Sequence, residues 1–205
     1  MNNRMLTKSI LAPVIAVLFL VLQGCASSGP KTQYYSLFPA EYSASDSDSG
    51  FNQSIGIGPI DLPEYINHSG IVSLTGTNQI TVSGYNAWAG DLAENLSRII
   101  ASNLSSQLGA GTVSAFPWDN RVRPDYQIRV AFQEFAGVRG GTVKLKAKWT
   151  VLDKKGSKVV LAGVEDLEEQ APSSSYNDYV GVLNQLVNNF SDRLAREIKQ
   201  FDGQD

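Results

Sequence analysis

The chain holds one cysteine, Cys25, and it stands directly after an almost unbroken apolar run near the N-terminus. Arg4 and Lys8 come first, and Ile10 to Leu22 follow, apolar except for the break at Pro13. A run of about 13 residues is shorter than the roughly 20 that a relaxed bilayer span needs, and it suits the core of a secretory signal. A lone cysteine excludes an internal disulfide, and one cysteine with one histidine excludes a structural zinc site. The remaining composition is that of a folded domain, with 42% apolar and 18% charged residues. A formal charge of −3 over 205 residues argues against sequence-independent nucleic-acid binding, which needs a strong basic excess.

The apolar run ends in Leu22-Gln23-Gly24-Cys25, with an apolar residue at −3, a small one at −1 and then cysteine. This resembles the cleavage motif of bacterial lipoproteins, the lipobox. An ordinary signal peptide or short anchor would leave it to chance that the only cysteine stands where the motif needs it. On the lipobox reading residues 1–24 are a lipoprotein signal peptide. Cys25 is then the first mature residue and carries acyl chains, palmitate among them. Residues 25–32 form a lipidated tether, and 33–205 a single domain. One acyl chain holds a protein marginally, whereas two or more make attachment effectively permanent. Ala26, where an inner-membrane retention signal would have Asp, implies outer-membrane placement facing the periplasm. About 180 residues then remain, enough to bury a core without staples.

Periodicity gives the elements. Strands are expected at Gln33 to Phe38, Ser54 to Ile60, Ile71 to Leu74 and Gln79 to Ser83, with a polar loop from Ser43 to Gly50. Asp91 to Leu108 reads as a helix, because Leu92, Leu96, Ile99, Ile100, Leu104 and Leu108 share one face. Asp91 is its expected N-cap, Glu94 takes the capping-box position and Gly109 the C-terminal stop. Thr112 to Phe116 is a short strand. Asp125 to Phe135, Thr142 to Leu152 and Lys158 to Leu167 form an antiparallel meander with one apolar and one wet face. A long helix, Tyr176 to Phe201, closes the chain. The order predicts an α/β sandwich of two or three layers, with a mixed, mostly antiparallel sheet and two main helices.

Chemistry is sparse. His68 is the only side chain that titrates unaided near neutrality, and it sits in the polar turn Ile66-Asn67-His68-Ser69-Gly70 with no nucleophile elbow anywhere. Glu165, Asp166, Glu168 and Glu169 read as a solvated strand edge ahead of a divalent-cation site. Gly56-Ile57-Gly58 lacks the third glycine and the helix of a dinucleotide fingerprint. No phosphate loop occurs. Neither a catalytic residue, a metal nor a cofactor is expected. Lys144, Lys146 and Lys148 alternate along one strand, either as its wet face or as a patch for anionic lipid head groups. Leu62, Pro63 and Tyr65, with Tyr85 and Trp88, place apolar side chains outside the expected elements. They are either folded over the core or reserved for a partner or a neighbouring subunit.

Several short stretches together resemble one family. Tyr34-Tyr35-Ser36-Leu37 soon after the lipobox, Ile60-Asp61-Leu62-Pro63-Glu64-Tyr65, Gly70-Ile71-Val72, and Trp88-Ala89 ahead of a helix containing Asn103-Leu104-Ser105-Ser106-Gln107-Leu108 are similar to the ABC-type transport auxiliary lipoproteins of the PqiC group. The end of the last helix, Glu197-Ile198-Lys199, is similar too. Gly90-Asp91 departs from the pattern, where a proline near the helix start is expected. The resemblance implies a three-layer α/β sandwich and a non-enzymatic outer-membrane lipoprotein of an MCE-type intermembrane phospholipid transport system. It implies a periplasm-spanning MCE-domain partner and a ring-forming homo-oligomer, with a docking role that supports envelope integrity. A stand-alone periplasmic lipid-binding lipoprotein is the alternative.

Overall fold

The computed structural model describes residues 29–42, 51–109, 113–119, 121 and 123–202. Cys25, the signal segment, the tether up to residue 28, the polar loop from Ser43 to Gly50 and Thr112 lie outside the described residues. The chain divides into two units, Met1–Lys31 and Thr32–Asp205. All elements named below belong to the second.

Eight strands and two helices follow in the order β1 (Gln33–Tyr35), β2 (Ile55–Asp61), β3 (Gly70–Leu74), β4 (Ile80–Trp88), α1 (Leu92–Leu108), β5 (Val113–Ala115), β6 (Tyr126–Gly137), β7 (Thr142–Asp153), β8 (Val159–Gln170) and α2 (Tyr176–Asp202). They build a five-stranded sheet ordered β5-β2-β6-β7-β8 and a three-stranded sheet ordered β1-β4-β3. In the large sheet β2 runs parallel to β5 and β6, whereas β6, β7 and β8 form the expected antiparallel meander. Alternation explains the layering. Val143, Leu145, Ala147, Trp149 and Val151 of β7 are buried with Ile128, Val130 and Phe132 of β6. Both helices pack on the large sheet, α1 over β2 and β5 and α2 over β7 and β8, giving an α/β sandwich.

The helices end as their residues dictate. Asp91 accepts a hydrogen bond from the Glu94 backbone N–H at 2.8 Å, and Gly109 takes the left-handed conformation at φ 56°. The apolar stripe of α2 is buried from Tyr179 through Leu183, Leu186, Val187, Phe190 and Leu194 to Ile198. Tyr179 joins three elements. Its hydroxyl donates to the Val72 carbonyl of β3 at 2.9 Å and accepts from the Gly137 N–H of β6 at 2.9 Å.

Several boundaries differ from the sequence expectation, and two of them concern β1 and β4. β1 stops at Tyr35 instead of Phe38, because Leu37 turns into the core while its N–H donates to the Asn95 side chain of α1 at 3.0 Å. β4 runs on to Trp88 instead of stopping near Ser83. There β1 lies parallel to it, pairing Gln33 with Asn86, Tyr34 with Ala87 and Tyr35 with Trp88. Tyr85 and Trp88 therefore stand in a strand and not in a loop.

Candidate functional site

The segment after β1 is strapped along the seam between α1 and α2 by a set of amide side chains. Asn95, Asn103 and Gln107 line α1 at helical spacing, and Asn184, Asn188 and Asp192 line α2. Asn184 Oδ1 accepts the Phe38 N–H at 2.6 Å, and Asn103 Oδ1 accepts the Ala40 N–H at 3.0 Å. Asn103 Nδ2 also donates to Asn188 Oδ1 at 2.8 Å, tying the two helices together. Farther on, the Tyr42 hydroxyl donates to Asp192 at 2.6 Å. Burial and the Asp192 carboxylate both push the Tyr42 pKa upward.

This strap leaves an apolar groove open at one end. Tyr34 and Phe38 are 70% and 66% exposed. They border a cleft of about 440 Å³ whose other wall is Val180, Gly181 and Asn184 of α2. Neither residue was read from the sequence as a contact residue, since both lay in an expected strand. The alternation of Tyr34 and Ser36 against Tyr35 and Leu37 is the signal that places Tyr34 on the outer side.

The residues that the sequence did single out separate into different settings. Trp88 is only 7% exposed and belongs to the core, so its bulk is folded inward. Tyr85, on the same strand, is 55% exposed. Leu62 and Tyr65 are half-buried and pack against the core, and Pro63 is half-buried beside them. Tyr65 reaches the irregularity in β6, where its hydroxyl donates to the Gln133 carbonyl at 3.5 Å. Burial raises its pKa, with the Glu134 carboxylate adding to the effect. Cys25 lies outside the described residues.

Lys144, Lys146 and Lys148 do form the outer face of β7, opposite the helices. Two of them meet carboxylates on β8: Lys144 with Glu168 at 3.3 Å and Lys146 with Asp166 at 2.9 Å. Lys148 stands between Ala131 and Val164 in the ladder and remains exposed. Glu165, on the helix-facing side of β8, accepts from Arg193 of α2 at 3.2 Å. Three of the four carboxylates of the acidic run, Glu165, Asp166 and Glu168, are thus divided among separate cations. Among the described residues no group of three or more His, Cys, Asp or Glu side chains is placed to hold a metal ion. His68 is exposed in its turn, where its backbone N–H donates to the Ile66 carbonyl at 2.8 Å.

The family of ABC-type transport auxiliary lipoprotein components matches residues 35–195, which run from the end of β1 almost to the end of α2. The chain belongs to that family. It is a family of auxiliary lipoproteins and not a known family of enzymes. The intermembrane transport lipoprotein PqiC of Escherichia coli K12 is 25% identical over 187 residues, covering 91% of this chain and 97% of the relative. The PqiC of Shigella flexneri matches to the same extent. An uncharacterized protein of known crystal structure superposes with a TM-score of 0.67 at 26% identity, covering 83% of this chain and 99% of the other. Protein XCC0632 of Xanthomonas campestris, 11% identical, shares the fold with a TM-score of 0.72 over 84% of this chain and 98% of its own. As in the resemblance read from the sequence, the match runs through the whole folded unit. Among the described residues no helix is long and apolar enough to cross a membrane.

Proposed function

We propose that this auxiliary lipoprotein is a non-catalytic docking subunit of an MCE-type intermembrane phospholipid transport system. Acyl chains on Cys25 hold it to the outer membrane on the periplasmic side, after removal of residues 1–24. The domain assembles as a homo-oligomeric ring and receives a periplasm-spanning MCE-domain protein. The observation that carries this reading is the match to an intermembrane transport lipoprotein along nearly the full length of both chains. Two exposed aromatic sites supply contact surface of the kind that interfaces favour, the Tyr34–Phe38 groove and Tyr85. Leu62, Pro63 and Tyr65 extend the available surface around the β6 irregularity. Lys148, without a carboxylate partner among the described residues, is the one member of the lysine row suited to a lipid head group.

Photo-crosslinking amino acids at Tyr34, Phe38 and Tyr85 in living cells test the assignment. Adducts to an MCE-domain protein or to a second copy of this chain are expected at one or more of these positions. If all three sites give no adduct while the same probe on another outer-membrane lipoprotein does, the docking role is wrong. Native mass spectrometry adds the assembly state. A monomer retaining one lipid would instead favour the stand-alone carrier.

A further inference from the structure

At the end of the large sheet away from Gly137, a cavity of about 290 Å³ opens between the segment after β5 and the β7–β8 turn. Its floor is the outer face of β6, from Gln127 and Arg129, and its wall is aromatic, from Phe116 and Trp118. The two rings meet edge-on with centroids 5.2 Å apart. Trp118 packs close against β2 because residue 56 is glycine. A Cβ there would stand 2.9 Å from the indole and 2.7 Å from the Pro124 ring. Arg123 and Lys155 complete the rim.

The charge around this cavity is net positive, with Arg123, Arg129, Lys154 and Lys155 against Asp153 in its lining, although the whole chain is acidic at −3. Each carboxylate nearby is already engaged. Asp125 binds Lys154 at 2.7 Å, and Asp119 binds Arg121 at 3.5 Å. Asp153 accepts the Ser157 and Lys158 N–H groups at 3.0 and 3.1 Å, which hold its pKa down. Arg123 and Arg129 are left without a carboxylate partner among the described residues, and Lys155 lies near enough to Asp153 to help keep that carboxyl charged. Guanidinium groups bind phosphate oxygens two at a time, and a third cation strengthens such a site.

We propose that this cavity binds a phosphate-bearing head group, with the phosphate held by Arg123, Arg129 and Lys155 and the glycerol stem laid against Trp118 and Phe116. Its volume holds about ten water-sized groups, more than a bare phosphate fills. It also falls at the lower end of small-molecule pockets, as a head group without its acyl chains requires. The choice of a lipid over a free phosphoester rests on the proposed transport role; the anion site itself does not.

The full-length lipoprotein in a nonionic detergent is titrated with dihexanoylphosphatidylglycerol and, separately, with sn-glycerol 3-phosphate, following tryptophan emission. The lipid is expected to shift the spectrum and to bind at least tenfold more tightly than glycerol 3-phosphate. W118F should abolish the response. R123Q/R129Q should weaken binding at least tenfold, with R196Q/K199Q, two exposed cations of α2 far along the chain from the cavity, within twofold of the native chain. Equal affinity for both ligands overturns the lipid assignment, and equal affinity of R123Q/R129Q and the native protein overturns the site. A loss in R196Q/K199Q as large as that in R123Q/R129Q reduces the effect to general charge and also refutes it. Crosslinking from Tyr34 is read in the same R123Q/R129Q variant, so a failed docking role and a failed head-group site give different results.

Discussion

Tyr179→Phe removes a single oxygen from a side chain that is 0% exposed, and the structure fixes what that oxygen does. It donates to Val72 of the small sheet and accepts from Gly137 of the large one, both at 2.9 Å. Phenylalanine fills nearly the same space, so the cavity contribution is small. The loss leaves one buried N–H and one buried carbonyl short of a partner. Unsatisfied groups of this kind cost about 1–3 kcal/mol, and about 2–3 kcal/mol is expected for the pair. For a domain of this size each kcal/mol lowers Tm by about 2–4 °C, so Y179F should melt roughly 4–12 °C below the native protein. Circular dichroism melts of the full chain in detergent measure the shift. Hydrogen exchange adds a local readout, since the Gly137 amide should lose protection more than neighbouring ladder amides. A Tm within 1 °C of native, with Gly137 still protected, would show that the hydroxyl does not couple the sheets.

Asn103→Ala should cost about 2 kcal/mol, because Asn103 is wholly buried and its loss unpairs both the Ala40 N–H and Asn188; limited proteolysis should then cut between residues 36 and 42 sooner, and an unchanged cleavage rate would contradict the strap. Asp125 offers a pH test. The hydrogen bond from Lys154, and then those from Ser54, hold its pKa near about 2, below the usual carboxylate value of 3.8. A lowered folded-state pKa gives stability that is present above the unfolded value and lost as pH falls toward the folded one. The native protein should therefore exceed D125N by a modest amount, about 0.5–1 kcal/mol given solvent screening, at pH 6. The advantage should vanish between pH 4 and pH 2 in urea titrations; an advantage that persists at pH 2 would refute the assignment.

The long elements were legible because their periods are long. Six apolar residues on one face specified α1, and Val143 to Val151 against Lys144 to Lys148 specified β7. Tyr85 to Trp88 was not legible as strand. The stretch has no clean alternation, and its ladder partner is β1, about fifty residues earlier and only three residues long. Phe38 was read as strand for the converse reason: its aromatic character fits a strand, while the Asn184 acceptor that draws it away lies far along the chain. The amide stripes on α1 and α2 were present in the spacing of Asn95, Asn103 and Gln107, but nothing local says what they bind. The cationic cavity is least visible of all. It joins Arg123 and Arg129 to Lys155 across a strand and a turn, and no one of them stands out alone.

Whether the mature protein carries lipid on Cys25 decides the account most directly. Cells expressing the native chain or C25S are fed radiolabelled palmitate, and the protein is recovered and resolved by mass. Label on the native chain, absent from C25S, together with outer-membrane fractionation of the native chain and release of C25S into the periplasm, is the predicted result. An unlabelled native chain recovered in the soluble periplasmic fraction would contradict it.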